Sequence, residues 1–176
     1  MSHSQMLNKT QDNLARFIES KTIPPDRLEE KVMAWRAEGN TIATLNGSFD
    51  LMHAGHLQII YEGSLQADKL LVALNSDDSI KKYKSSKRPI IPLEYRLQMM
   101  AALDFVDGVT WFEETDPKAF LEKVRPDVHV NGSEYGHECI EAATVKKHGG
   151  RIHIVELVPG LSTSNILAKI KHLCDS

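Results

Sequence analysis

The sequence predicts an α/β fold: a five-stranded parallel sheet with helices on both faces, preceded by an N-terminal helical extension over residues 1–40. Three observations predict it. From Thr41 onward, short aliphatic runs alternate with amphipathic stretches, and strands that alternate with helices close as a parallel sheet with right-handed crossovers. The segments richest in Gly, Ser and His sit where strand-like runs stop, which is where such sheets bind ligands. The composition, 176 residues with 41% hydrophobic and 26% charged content, suits one domain with a full core.

Each element has its own warrant. Gln5 to Ser20 and Pro25 to Gly39 read as helices, separated by the breaker Lys21-Thr22-Ile23-Pro24-Pro25. The second carries an apolar stripe at Leu28, Val32 and Trp35 and ends at Gly39-Asn40. Thr41-Ile42-Ala43-Thr44-Leu45 is a strand that breaks at Gly47, and the helix after it presents Leu57, Ile60, Tyr61, Ser64 and Leu65 as one stripe. Lys69 to Asn75 is a buried-type strand closed by the turn Asn75-Ser76-Asp77-Asp78. Pro92 opens a helix with Leu93, Leu97, Met100 and Ala101 on one face. Gly108 to Phe112, Asp127 to Asn131 and Arg151 to Val155 are the remaining strands, with helices over Pro117 to Val124, Glu138 to His148 and Ser164 to Leu173. The whole is a Rossmann-like sheet.

The charge balance narrows the function. With 21 basic against 24 acidic residues, the net charge of −3 argues against a dedicated nucleic-acid surface. No apolar run approaches membrane-spanning length, and the polar start Met1-Ser2-His3-Ser4-Gln5 has no signal-type apolar segment. Two cysteines, Cys139 and Cys174, fit incidental thiols in a reduced, cytoplasmic protein.

The most informative stretch is Gly47-Ser48-Phe49-Asp50, followed by His53-Ala54-Gly55-His56. A strand that feeds a helix through a small-residue turn leaves free backbone N–H groups at the sheet edge, a ready anion site. Two imidazoles one turn apart face the same way, and Gly55 between them admits a phosphate closely. Two histidines beside a surface loop, or two metal ligands, are the bland readings. A metal site needs a third and fourth ligand, and no compact Cys/His/Asp cluster stands elsewhere in the sequence. The residues therefore point to a nucleotide-phosphate site with His53, His56, Gly47, Ser48, Phe49 and Gly55. Ser162, Thr163 and Ser164 precede a helix; they are N-caps in the simple reading and phosphate donors in the functional one. The basic run from Lys81 to Arg88 is either a solvated loop or a mobile set of cations that closes over a triphosphate. Arg96 lies inside a helix, where a core-edge ion pair competes with a substrate role. Asp50 either orients the phosphate turn or faces a second substrate.

At these motifs the chain resembles the nucleotidyltransferases of the HxGH type, a family that includes the cytidylyltransferases, pantetheine-phosphate adenylyltransferase and the heptose-1-phosphate adenylyltransferases. The resemblance runs from Thr41 to Ile170 and implies a nucleotidyltransferase domain over residues 41–176. It implies that His53 and His56 contact the triphosphate and stabilise the transition state, with Lys84 as the third catalytic residue. It places Thr163 and Ser164, with Ser162 alongside, on the β- and γ-phosphates. The turn Val130-Asn131-Gly132-Ser133-Glu134-Tyr135 passes beside base and ribose, with Asn131 where a Lys is common in heptose-type members. Asp50, Arg88 and Arg96 fall to the second substrate, and Mg²⁺ is expected with ATP.

The substrate reading also follows the resemblance. The run Arg88-Pro89-Ile90-Ile91-Pro92-Leu93-Glu94-Tyr95-Arg96, the turn Asn75-Ser76-Asp77 and the ending Ser162 to Ile166 are similar to heptose-1-phosphate adenylyltransferases, also called ADP-heptose synthases. Leu157 stands where glycerol-phosphate cytidylyltransferases usually carry Arg. The expectation is ADP-heptose formation from ATP and a heptose 1-phosphate, feeding the lipopolysaccharide core. The alternatives are a CTP-dependent enzyme acting on glycerol 3-phosphate or a similar polyol phosphate, and a non-catalytic nucleotide-binding regulator. In some organisms the domain is fused to a sugar kinase; about 40 residues before Thr41 leave no room for one, so the stand-alone form is expected. The N-terminal helices offer a dimer arm, which makes a homodimer one expected assembly.

Overall fold

The computed structural model describes residues 3–156 and 159–175. In chain order its elements are α1 (His3–Lys21), α2 (Leu28–Ala37), β1 (Ile42–Gly47), α3 (Ala54–Ser64), β2 (Lys69–Asn75), α4 (Asp77–Tyr83), α5 (Leu93–Ala101), β3 (Gly108–Phe112), α6 (Lys118–Val124), β4 (Val128–Gly132), α7 (Ala142–Lys147), β5 (Arg151–Val155) and α8 (Thr163–Cys174). The strands form one parallel sheet in the order β3-β2-β1-β4-β5. Strand order reverses between β1 and β4, and a crevice opens at the carboxyl ends beside such a reversal. The register runs Leu45 opposite Val72 on one side and Val130 on the other.

Period-two alternation splits the core in two. Leu70, Val72 and Leu74 pack with α3 and α5 through Ile59, Ile60, Met100 and Ala101. Leu71 and Ala73, on the opposite face, pack with α2, α6 and α7 through Leu28, Val32, Trp35, Phe120, Leu121 and Val145. The segment before β1 is built into this second layer. Ile23 N donates to Val109 O at 2.8 Å, and Trp35 is 5% exposed. Gly108 makes room for them, since a Cβ there would stand 2.6 Å from Ile23 Cδ1 and 2.8 Å from Trp35 Cη2.

The fold differs from the sequence reading in three elements. On α3 the inward residues are Gly55, Ile59, Ile60 and Gly63, whereas Leu57, Tyr61 and Leu65 face out. Two glycines on the inner face are silent in a hydrophobicity count, so the larger side chains draw the stripe to the wrong side. The stretch after β2 is not a plain turn: Ser76 caps α4, its hydroxyl accepting from Ser79 N. The helix expected from Glu138 begins only at Ala142, because residues 133–141 form turns.

His129 on β4 is fully buried, with Nδ1 2.8 Å from Thr44 Oγ1 on β1. Burial pushes its titration down from 6.5 to about 3, so the fold holds the ring neutral. Its folded pKa lies below the unfolded value, so the unfolded chain binds the extra proton between those limits. Stability from this group is therefore present above pH 6.5 and is lost as pH falls toward 3. The expected loss from pH 7 to pH 5 is about 2 kcal/mol by the linkage slope. Urea unfolding at the two pH values checks it, and His129→Leu should flatten the dependence. Equal midpoints for the wild type at both pH values would refute the reading.

Candidate active site

A cavity of about 530 Å³ opens at the carboxyl edge of the sheet, over the ends of β1, β2, β3 and β4. Its wall begins where β1 runs out. Phe49 takes a left-handed backbone (φ 46) and folds its ring back over Gly47, where a Cβ would stand 3.1 Å from Phe49 Cε2. Gly47 is thus needed by the buried Phe49 ring, whose edge meets His56 at 5.3 Å between centroids.

His53 is the N-cap residue of α3, and His56 follows within its first turn. The two rings stack with centroids 3.9 Å apart and planes 28° apart. Gly55 permits this, since a Cβ there would meet the His53 ring at 3.1 Å. Both Nδ1 atoms are sealed without a partner among the described residues, and both rings line the cavity, where a neutral imidazole carries one N–H donor. Burial lowers the His53 pKa. His56 is pushed down to about 4 by burial, then by His53 and Lys84. At neutral pH the pair is a set of uncharged donors.

Lys84 follows α4 and donates from Nζ to Ser48 Oγ at 2.8 Å. Burial, then Arg88, lowers its pKa. The basic run around it is ordered by local bonds. Lys81 pairs with Asp78 on α4, and Lys84 N and Arg88 N close turns onto Ile80 O and Ser85 O. Across the cavity, Ser162 caps α8 by accepting from Asn165 N, and Ser162 and Thr163 both line the wall. Leu161 reaches the Gly55 turn, its Cβ 3.7 Å from where a Gly55 Cβ would be. Asn131 and Gly132 line the wall at the end of β4, and Glu134 just past it.

The fold thus brings together His53, His56, Lys84, Gly47, Ser48, Phe49, Gly55, Asn131, Gly132, Glu134, Ser162 and Thr163. It does not bring the others to the wall. Ser164 is exposed, on the α8 turn beyond the cavity. Asp50 is buried behind the phosphate turn and accepts from Arg88 Nε, Ile90 N and Ile91 N. Burial works against its charge, but the Ile91 and Ile90 N–H groups and Arg88 hold the carboxyl below its ordinary range. Arg88 spends Nε on that bond, and its Nη2 is sealed without a partner among the described residues. Arg96 is 0% exposed and donates to Ile91 O, Ser48 O, Asn75 O and Asp77 Oδ1. These three charges are bonded to the frame behind the wall, and Arg88 keeps a donor that none of the described residues receives. Leu157 lies outside the described residues.

Residues 44–168 match the family model described as Cytidylyltransferase-like. This chain belongs to the cytidylyltransferase-like family. As a member, it is a nucleotidyltransferase-type enzyme. This cytidylyltransferase-like chain is 39% identical over 146 residues to Bifunctional protein HldE of Methylobacillus flagellatus, covering 82% of this chain and 30% of that one. It is 34% identical over 166 residues to Bifunctional protein HldE of Koribacter versatilis, covering 94% of this chain and 34% of the relative. It therefore spans about a third of the length of these relatives. The crystal structure of the lipopolysaccharide core biosynthesis protein from Thermoplasma volcanium GSS1 superposes with TM-score 0.55 at 26% identity, over 68% of this chain and 98% of that one. A pantoate-beta-alanine ligase from Francisella tularensis shares the fold, with TM-score 0.57 at 14% identity, over 85% of this chain and 77% of that one.

Sequence reasoning misses Asn46, Asn75, Tyr83, Phe112, Thr115 and Glu141, all on the wall of this cytidylyltransferase-like site. Asn46, Asn75 and Phe112 stand at strand ends, so the carboxyl-end rule is a usable signal for them. Glu141 follows a run of turns and carries no signal.

Proposed function

We propose that this enzyme joins ATP to D-glycero-β-D-manno-heptose 1-phosphate, releasing pyrophosphate and forming ADP-heptose for the lipopolysaccharide core. The observation that carries the reaction type is the stacked His53–His56 pair beside Ser48 and Lys84. An acceptor phosphate oxygen attacks the α-phosphorus in line, a new P–O bond forms, and the bond to the β-phosphate bridging oxygen breaks. Phosphate monoesters are largely dianionic at neutral pH, so the attack needs no general base. That suits a site whose imidazoles are held neutral as donors. Catalysis then rests on positioning and on donors that meet charge on the departing pyrophosphate: His53, His56, Lys84, Ser162 and Thr163.

Mg²⁺ belongs to this reading as part of the MgATP substrate. The hydroxyls of Ser48, Ser162 and Thr163 are compatible with it, but among the described residues no cluster of three His, Cys, Asp or Glu makes a metal cage. The enzyme is expected to work where ATP is held, in the cytoplasm; among the described residues no helix is long and apolar enough to cross a membrane.

The sugar and base choice rests on the likeness at Arg88 to Arg96 and Ser162 to Ile166, on the HldE relatives and on the lipopolysaccharide-core structural neighbour. The test is kcat/KM for ATP and CTP, each with heptose 1-phosphate and glycerol 3-phosphate, because specificity is the ratio of those values. ATP with the heptose phosphate is the expected best pair. CTP with glycerol 3-phosphate ahead by about tenfold or more would overturn the substrate while leaving the reaction type in place.

A further inference from the structure

Among the described residues, Lys84 is the one lysine or arginine on the cavity wall, and its own backbone does not fix where the charge goes. It follows α4 in a run, residues 81–87, that is exposed throughout. A long flexible stem separates the ammonium from that chain, and an exposed lysine tip samples many positions. Arg88 and Arg96 repel it while Asp50 attracts it, so the surrounding charges pull in different directions. Two short-range contacts hold it. Ser48 Oγ accepts from Nζ at 2.8 Å, and Nζ lies 5.5 Å from the centroid of the Tyr83 ring, within cation–π range.

The Tyr83 ring serves as a platform because its far end is tied to the frame. Its hydroxyl donates to Asn75 Oδ1 at 3.4 Å, and the Ser48 side chain stands beside the same phenol. Asn75 is buried and itself fixed: Nδ2 donates to Ser79 Oγ at 3.0 Å, and Ser79 Oγ donates to Glu114 O at 2.6 Å. A line of polar contacts therefore runs from the exit of β3, past the end of β2, through Tyr83 to the ammonium. We propose that Tyr83 is a positioning residue that holds the Lys84 ammonium at the phosphate turn. This rests on the reading of Lys84 above as a donor to the departing pyrophosphate. Charge on that group builds in the transition state, so a misplaced Lys84 lowers kcat and leaves the KM for ATP nearly unmoved.

Tyr83→Leu removes ring and hydroxyl but keeps an apolar side chain at the end of α4, and Tyr83→Phe removes the hydroxyl alone. Both are made in the wild type and in Lys84→Met protein, and kcat and the KM for ATP are measured with whichever of heptose 1-phosphate and glycerol 3-phosphate is turned over faster. In the wild-type background Tyr83→Leu is expected to lower kcat about tenfold, a modest share of what a misplaced catalytic group can cost. The KM for ATP should stay within about twofold, and Tyr83→Phe should fall between. In the Lys84→Met background neither variant should move kcat by more than about twofold, the mark of residues that act as a unit. Equal losses in both backgrounds would make Tyr83 a support of the fold and overturn the proposal. A raised KM for ATP with kcat kept would put Tyr83 on the nucleotide and overturn it as well, as would unchanged kinetics for both Tyr83 variants. Should Tyr83→Leu fail to fold, Tyr83→Phe keeps the ring's packing and carries the same comparison. If Lys84→Met alone keeps the wild-type kcat, or neither acceptor is turned over, the reading of Lys84 falls and the proposal falls with it.

Discussion

His56→Ala is expected to lower kcat by roughly a hundredfold or more, the scale of a lost transition-state donor, with a much smaller change in nucleotide affinity. In the proposed reaction the ring donates to the departing phosphates, and its surroundings hold it neutral with a pKa of about 4. Its packing partners are His53, stacked at 3.9 Å, and the edge of Phe49, so an alanine leaves the α3 entrance standing. His53→Ala should cost a similar factor. The double variant should cost less than the product of the two, because stacked residues that serve one group act as a unit. The pH profile adds a check. A histidine titrating near 4 puts no inflection near 6.5 in kcat/KM; the acid limb should follow the acceptor's second phosphate ionisation, about 6, and should shift when the acceptor is changed. Near-normal turnover in both single variants would remove the histidines from the chemistry.

The strands are legible because each is a short run rich in β-branched, aliphatic or aromatic residues between breaks. Leu70 to Leu74 and Val128 to Val130 read as buried strands from their side chains alone, and they lie on either side of β1 at the centre of the sheet. The phosphate turn is legible for a different reason: Gly47, Gly55 and the paired histidines are local, so spacing alone describes their geometry. What spacing cannot describe is a side chain's direction across the fold. Asp50 sits two residues past Ser48, yet it turns away from the cavity toward the N–H groups of Ile90 and Ile91. Ser164 follows Thr163 directly but leaves the wall, because successive helical residues point about a third of a turn apart. Glu141 and Asn46 reach the same cavity only because β1 pairs with β4 across more than eighty residues of chain, a relation that no local pattern encodes. The Lys81 to Arg88 run keeps the solvent its cations suggest, with residues 81–87 all exposed, while α4 and the Asp50 clamp on Arg88 tie the segment at both ends.

Arg96→Met is expected to destabilise the fold by about 3–5 kcal/mol, the range for breaking a buried ion pair from one side, and to lower the turnover of the protein that still folds. Methionine replaces most of the volume but none of the four bonds. Ile91 O, Ser48 O and Asn75 O would be left without this donor, and Asp77, whose side chain is 35% exposed, would turn to water. The carbonyls carry most of the cost, since a buried acceptor left unmade loses its full solvation. Asp77→Asn keeps an acceptor but leaves the fully buried Arg96 charge without its carboxylate, so it should also destabilise, by about 3 kcal/mol. The activity loss has a separate route. Arg96 ties the Ser48 backbone, whose hydroxyl receives Lys84, to the end of β2 and to the segment before α5, so its removal loosens the phosphate turn from three directions. Urea unfolding at fixed pH measures the first effect, and kcat at a temperature well below the variant's Tm measures the second. A wild-type midpoint combined with a raised KM for the acceptor would mean that Arg96 meets the substrate after all, and the wall-building role would be wrong.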